Sequence, residues 1–344
     1  MNHKWKLQLR DSARGGGFII LVVIIAIVFD LIDSRFLSYM SLIGIARHMA
    51  SNGLAALGLT FVVIVHRFDL SITGVAAFCA MTLGALIAVG LPLWLVVIIG
   101  LAMGGGIGAI SGIAISYFDL PDIVTTIAVG SIGAGLAFIY SGGSTIFQNF
   151  FTCGIIDINN SRVISVPVAF WVLIGIYAVA WFVIGHTRTG IAFYGTGENP
   201  KAAHFSGIAT RRFVALAYIL GGMGTVLAVV LLLAESGTAE PNTGANLLMP
   251  AYASVFLGAA IMGRTSVVGT FGGVLLITML LDGFAIMGLP YYYSDAVVSL
   301  ILLTAVFVFS DSVRSAFKKI RNADLKLKVG APAAKIIFKK SDQS

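Results

Sequence analysis

The fold of this chain is decided by residues 93–117, which read LWLVVIIGLAMGGGIGAISGIAISY. The stretch contains no charged side chain and no proline. A helix needs about 20 predominantly apolar residues to cross the roughly 30 Å hydrocarbon core of a bilayer. Residues 93–117 meet this requirement, and they therefore predict a transmembrane helix.

Similar apolar stretches follow one another along most of the sequence, separated by short polar breaks. The chain is 58% hydrophobic and only 11% charged, whereas a soluble domain is about a quarter charged. No single soluble core could bury this much apolar surface. We therefore predict an all-α fold, a polytopic integral membrane helix bundle with about ten transmembrane helices. The predicted spans are 17–34, 42–65, 70–90, 93–117, 121–141, 165–185, 212–235, 247–262, 267–288 and 294–310.

The Lys and Arg residues indicate the orientation of the helices. They gather at both ends of the chain and in alternate loops, and only Arg35, Arg47 and Arg162 lie toward the opposite side. Cytoplasmic loops carry an excess of Lys and Arg, so both termini are predicted to be cytoplasmic (N-in and C-in). The predicted organisation is a transmembrane domain at 1–312, with a cytoplasmic loop at 186–211, and a basic cytoplasmic tail at 313–344. Membrane topology also explains the net charge of +7 without a nucleic-acid partner.

The sequence lacks the residue patterns of catalysis. It contains no P-loop, no paired catalytic carboxylates and no Ser/His/Asp grouping. Cys79 and Cys153 lack the spacing that is typical of metal ligands. We therefore expect a protein that moves a solute across the bilayer, is not an enzyme, and carries no metal or cofactor of its own.

Asp282 is the deepest ionisable residue of the predicted spans. A carboxylate inside a membrane helix is costly and suggests a proton or ion pathway. Asp282 also lies within about two turns of the end of its span, where it could face water. An ion-coupled secondary transporter therefore stays open as an alternative function.

The most informative loop segment is residues 195–208, which read GTGENPKAAHFSGI. The dipeptide Asn199-Pro200 is typical of a helix start and Gly207 of a helix end. The predicted helix, Lys201 to Phe205, is too polar for lipid and too short to be stable alone. We therefore expect it to dock against another protein; the alternative is a connector that lies on the surface.

This segment resembles the cytoplasmic motif of a known family, the permease subunits of ATP-binding-cassette importers of the ribose, galactose and xylose type, which includes autoinducer-2 permeases. The family motif is Gly-x-Asn-Pro-x-Ala-Ala followed by Ser-Gly-Ile. Similar stretches occur in the family's order at 58–64, at Asp69, Leu70 and Ser71, at 241–244 and at 267–270. The family usually has Gly-Gly-Ile where this chain has His66-Arg67-Phe68, so the solute stays open. The residues that match the cytoplasmic motif are Gly197, Glu198, Asn199, Pro200, Lys201, Ala202, Ala203, Ser206, Gly207 and Ile208.

The resemblance implies a complex of three kinds of subunit at the bacterial cytoplasmic (inner) membrane. Two permease chains, identical or paralogous, form the pathway. ATPase subunits, which hold ATP and Mg²⁺, dock on the motif at 197–208, where the small residues Ala202, Ala203 and Gly207 let a partner approach closely. An extracytoplasmic solute-binding protein delivers a monosaccharide or a related small polar solute. Import of autoinducer-2 or of a nucleoside by the same fold is an alternative.

Polar side chains within the predicted spans are candidates for lining the implied pathway, because hydroxyls and amides suit sugar hydroxyls. Each of them could instead be bonded to the backbone of its own helix. The candidates are Asn52, Thr60, Thr82, Thr126, Ser131 and Ser254.

Overall fold

The protein is described by a computed structural model that covers residues 18–309. The basic residues before position 18 and the predicted tail at 313–344 lie outside the described residues. The helices are α1 (Phe18–Ile32), α2 (Tyr39–Ile64), α3 (Ile72–Ala88), α4 (Leu93–Tyr117), α5 (Asp122–Ser141), α6 (Ile155–Asn160), α7 (Val168–His186), α8 (Arg188–Glu198), α9 (Pro200–Phe205), α10 (Thr210–Ser236), α11 (Leu248–Met262), α12 (Val267–Ile286) and α13 (Tyr291–Phe309).

The long helices follow the predicted spans. Each predicted span contains one helix, whose ends differ from the prediction by up to three residues. The earlier start of α2 has a local cause, because the Ser38 hydroxyl caps the helix by accepting a hydrogen bond from the Ser41 backbone N–H. Between α6 and α7 the chain forms a short antiparallel hairpin of β1 (Arg162–Val163) and β2 (Val166–Pro167), which the sequence did not predict.

Membrane-spanning character is clearest for five helices. By length and composition, α4, α5, α7, α10 and α12 are able to cross a membrane, and α1, α3 and α11 are shorter apolar helices. The prediction of an all-α membrane bundle is thus confirmed, apart from the two-residue strands. The crossing of the membrane by ten helices stays a prediction.

Glycines allow the central helices to touch through their backbones. A Cβ atom at Gly222 of α10 would collide with the carbonyl oxygen of Gly104 in α4, and one at Gly108 would collide with the carbonyl oxygen of Tyr218. A Cβ atom at Gly74 of α3 would meet Gly130 of α5 in the same way. Helices in lipid associate through such close packing of small residues, so these glycines are used for tight packing.

The turns between consecutive long helices alternate between two ends of the bundle. One end, called here the α9 end, contains α8, α9 and the turns at 65–71, 118–121 and 263–266. There the Tyr194 hydroxyl donates to the carbonyl oxygen of Thr265 (3.1 Å), and the Arg211 guanidinium lies 3.4 Å from the Asp119 carboxylate. These contacts bring α8, the start of α10 and two turns together.

The opposite end, called here the α6 end, contains α6, the hairpin and the loops at 33–38, 89–92, 237–247 and 287–290. The Arg35 side chain donates to the carbonyl oxygen of Ile286 (3.1 Å), and the Asn149 amide donates to that of Ala88 (2.8 Å). Ile146 pairs with Ala239 as an isolated antiparallel bridge. Loops that are far apart in sequence therefore meet at this end.

Candidate coupling site and transport pathway

The short helix α9 begins and ends as the sequence predicted. The Asn199 side chain accepts a hydrogen bond from the Ala202 N–H (3.0 Å), which caps the helix start, and Pro200 occupies the first helical position. Gly207 follows the helix with a φ of +82°, a backbone conformation that glycine adopts at low cost. The prediction of a short capped helix between Asn199 and Gly207 is confirmed.

The surface of α9 is almost entirely accessible. Lys201, Ala202 and His204 are exposed, and Phe205 is 89% exposed. Only Ala203 turns inward, with 6% exposure. Among the small residues that were expected to face a partner, Ala202 and Gly207 are thus free to do so, whereas Ala203 is used within the chain.

The inward contact of α9 is with the preceding helix α8. A Cβ atom at Gly195 would lie 3.7 Å from the Ala203 side chain and 3.6 Å from that of Ile208. The exposed Glu198 and Asn199 join the two helices. Helices α8 and α9 therefore form one small unit at the α9 end.

This unit touches the end of α2 through Gly197. A Cβ atom at Gly197 would collide with the carbonyl oxygen of Ile64 and would lie 3.1 Å from the Cα atom of Val65. One turn away, the rings of Phe193 and Phe61 lie 6.0 Å apart between their centroids. A displacement of α8 and α9 would therefore press directly on α2.

The turn after α2 is held in place by buried hydrogen bonds. The buried Asp69 carboxylate accepts from the backbone N–H (2.9 Å) and the hydroxyl (2.6 Å) of Ser71. The Tyr252 hydroxyl of α11 bonds to both the N–H (2.8 Å) and the carbonyl oxygen (3.0 Å) of Asp69. The Leu70 N–H donates to the Thr126 hydroxyl of α5 (3.1 Å). Asp69, Leu70 and Ser71 thus fix the turn between three helices.

The His66-Arg67-Phe68 segment belongs to the same turn. His66 has a φ of +56°, and both backbone groups of Phe68 are bonded. The Phe68 N–H donates to the Asp122 carboxylate (3.0 Å), and its carbonyl oxygen accepts from the Tyr218 hydroxyl (2.8 Å). Tyr218 and Tyr252 were not singled out from the sequence, because a tyrosine in an apolar span gives no sign of what its hydroxyl reaches.

Among the described contacts, no hydrogen bond joins any two of the six candidate pathway residues. The hydroxyls of Thr60, Thr82, Thr126 and Ser254 each donate to a backbone carbonyl four residues earlier. Thr60 also bonds to Thr270 of α12 (2.7 Å) within the buried core. Asn52 is half-buried and Ser131 is exposed. Four of the six candidates therefore bond to the backbone of their own helix, as the alternative interpretation of these residues predicted.

Two cavities lie beside these helices, and none of the six candidates lines either of them. The first, of about 870 Å³, lies at the α9 end and is lined by Trp181, Tyr194, Glu198 and Arg264, among others. The guanidinium of Arg264 stacks 5.2 Å from the centre of the Tyr194 ring. The second, of about 500 Å³, is an almost wholly apolar groove between α2, α7 and α10.

Asp282 has partners that the sequence did not reveal. Its Oδ1 atom lies 2.6 Å from Nδ1 of His48 in α2, and Nε2 of the same ring lies 2.9 Å from Oε1 of Glu235 in α10. The Asp282 side chain is 13% exposed, and its Oδ2 atom is buried without a hydrogen-bond partner. Asp282 is therefore part of an ionic cluster between three helices.

Comparison with known proteins places most of the chain in one family. Residues 41–306 match the model of the family described as branched-chain amino acid transport system / permease component. The chain is 28% identical to the ribose import permease protein of Haemophilus influenzae over 293 residues, which are 84% of this chain and 90% of the relative. It is 30% identical to the autoinducer 2 import system permease protein of Escherichia coli O9:H4 (strain HS) over 292 residues, 83% of this chain and 88% of the relative. No solved structure gives a significant match.

Proposed function

The chain belongs to the branched-chain amino acid transport system / permease component family, and from that premise we propose that it is the permease subunit of an ATP-driven, binding-protein-dependent importer of a monosaccharide or related small polar solute. The chain is an integral protein of the bacterial cytoplasmic membrane.

One observation carries the proposal, namely the contact between α9, α8 and α2. The α9 helix offers an exposed surface that includes Ala202 and Phe205. The adjoining Gly197 touches the backbone of Ile64. A partner that bound α9 could therefore move a long central helix without any flexible linker. The proposed partner is a pair of ATPase subunits, which would hold ATP and Mg²⁺.

The proposed topology puts the α9 end in the cytoplasm. The basic residues of the described chain favour this orientation, since cytoplasmic loops are rich in Lys and Arg. With ten helices crossing, both termini would be cytoplasmic, and the α6 end would face the solute-binding protein. The basic residues at the α9 end are Arg67, Arg188, Lys201, Arg211, Arg212 and Arg264, against Arg35, Arg47 and Arg162 at or toward the α6 end.

The proposed transport step is a change in helix packing driven through α2. A Cβ atom at Gly58 of α2 would lie 2.9 Å from the carbonyl oxygen of Gly221, and one at Gly224 would lie 2.9 Å from the Cα atom of Gly58. Because glycines meet at this contact, no side chains interlock there, and α2 and α10 can shift against each other. Closure of the ATPase pair would push α9, and the shift would open the pathway between this chain and a second permease chain, identical or paralogous.

Two observations bear on the solute. The ribose and autoinducer 2 permeases named above favour a small polyhydroxylated compound. The description of the family favours a branched-chain amino acid as a second candidate. A nucleoside is a further alternative within the same fold. The identity of the transported solute depends on the proposed binding protein, because that partner would select the solute before it reaches the membrane.

The experiment is to purify the tagged permease from its own organism and to recover the binding protein and ATPase that accompany it. The thermal stability of the binding protein is then measured with ribose, other monosaccharides, nucleosides and branched-chain amino acids, since a bound ligand raises the melting temperature. Stabilisation by a sugar supports the proposal. Stabilisation by leucine or isoleucine alone would overturn the proposed solute class, and purification without any ATPase would overturn the mechanism.

A further inference from the structure

His48 lies at the centre of an ionic cluster that the coupling mechanism does not use. Its two ring nitrogens face carboxylates on different helices, Asp282 of α12 at 2.6 Å and Glu235 of α10 at 2.9 Å. A histidine ring donates from both nitrogens only in its positively charged form. The cluster is therefore an ion network that joins α2, α10 and α12.

The cluster also contains unsatisfied polar atoms. The Nε atom of the neighbouring Arg47 and the Oδ2 atom of Asp282 are buried without a hydrogen-bond partner. Charged groups within membrane helices are costly and rare, and most of them serve the transported species or a moving part. A network with unpaired atoms is poorly suited to stability alone, because each such atom lowers the stability of the fold.

The position of His48 along α2 connects it to the coupling unit. His48 and Ile64 lie on the same uninterrupted helix, roughly 24 Å apart at 1.5 Å per residue. Ile64 contacts Gly197 beside α9, and Gly58 between them contacts α10 through its backbone. The single helix α2 thus contacts α8 at one end, packs against the glycines of α10 in its middle, and carries the ionic cluster toward its other end.

We propose that His48 is a positioning residue of the transport cycle, a latch that holds α10 and α12 against α2 on the extracytoplasmic side until α9 moves. The inference rests on the proposed function, because it needs α9 to be driven by an ATPase. In the latched arrangement the α6 ends of the three helices are held together, which keeps α2 in the position that closes the pathway to the second permease chain on that side. Movement of α2 separates His48 from Asp282 and Glu235 and opens the pathway.

The first test locks the latch with cysteines. His48→Cys and Asp282→Cys are combined with Cys79→Ala and Cys153→Ser, and a short bifunctional thiol reagent bridges the pair in proteoliposomes that contain the ATPase and the binding protein. Bridging is expected to lower uptake by roughly tenfold or more, and a cleavable reagent restores uptake when it is reduced. The two single-cysteine variants control for modification without a bridge. Uptake that continues at the unbridged rate would overturn the latch.

The second test removes the latch. His48→Leu is expected to raise ATP hydrolysis in the absence of binding protein by roughly threefold or more, because the unlatched state becomes populated without its trigger. His186→Leu is the matched control, since the described contacts of that ring are with Trp181 and Phe182. A purely structural role predicts a lower melting temperature with unchanged ATP hydrolysis per folded transporter, and that result would overturn the proposal. The parent transporter is measured alongside: absence of ATP-driven uptake there would count against the proposed function, not against the latch.

Discussion

Gly197 of α8 lies so close to the carbonyl oxygen of Ile64 in α2 that no side chain fits between them. The contact joins the unit of α8 and α9 to the end of α2, and it does so between backbone atoms. Backbone contacts cannot be relieved by rotation of a side chain, so the two elements must move together. The proposed transport step depends on this contact.

The first prediction tests that contact by adding a single methyl group. Gly197→Ala is expected to destabilise the protein by about 1–3 kcal/mol through overpacking and to lower uptake beyond the loss of folded protein. The control is Gly195→Ala, where a Cβ atom makes only ordinary contacts at 3.6 and 3.7 Å. Uptake and melting temperature are measured for both. Equal behaviour of the two variants would contradict the close contact.

A second prediction concerns Phe205, whose ring is 89% exposed on α9. Phe205→Ala is expected to leave the melting temperature unchanged, because the ring packs on little within the chain, and to weaken retention of the ATPase during purification. Large aromatic side chains often anchor protein interfaces. Phe151→Ala is the matched control, since Phe151 is 84% exposed at the opposite end. Full retention of the ATPase by the Phe205 variant would argue against docking on α9.

The two neighbouring alanines of α9 give a third prediction with opposite outcomes. Ala202 is exposed, so Ala202→Trp is expected to preserve membrane abundance while abolishing ATP-dependent uptake by a clash with the partner. Ala203 is 6% exposed against α8, so Ala203→Trp is expected to disturb the α8 and α9 unit itself and to lower abundance. Abundance by immunoblot and uptake per folded transporter separate the two effects. Normal uptake by the Ala202 variant would contradict docking of a partner on α9 and would indicate that α9 is a passive connector.

Topology gives the fourth prediction. In a chain with Cys79→Ala and Cys153→Ser, Thr145→Cys at the α6 end is expected to react with an impermeant thiol reagent added to intact cells. Lys201→Cys at the α9 end is expected to react only after the cells are opened, because the Lys and Arg distribution favours the proposed cytoplasmic position of that end. Both positions are exposed. Labelling of Lys201→Cys in intact cells would reverse the orientation.

The sequence alone predicts the long helices and the short helix α9, because those features depend on local chemistry. Apolar length sets the spans, and an Asn-Pro start with a following glycine sets α9. The sequence did not predict which side of α9 is exposed, because the burial of Ala203 depends on how α8 packs against α9. The same limit applies to the turn at Asp69, which is held by Tyr218 and Tyr252 from distant helices.

The ionic cluster shows the limit most clearly. His48 lies 187 positions from Glu235 and 234 positions from Asp282 along the chain. No local pattern links them, so Asp282 could be assigned from sequence to water or to an ion pathway but not to a histidine. The pathway hydroxyls were ambiguous for a related reason, because a threonine in a helix bonds to its own backbone as readily as to a solute.

The proposed mechanism requires that ATP hydrolysis by a partner drives the solute through this chain, and transport by the reconstituted complex shows whether it does. Purified permease, ATPase and binding protein are reconstituted in proteoliposomes with ATP on the α9 side, and solute uptake is measured with proton and sodium gradients collapsed by ionophores. We expect that uptake persists, requires ATP, and is lost with Ala202→Trp. Uptake that stops when the gradients collapse, or that proceeds equally well without ATP, would contradict it.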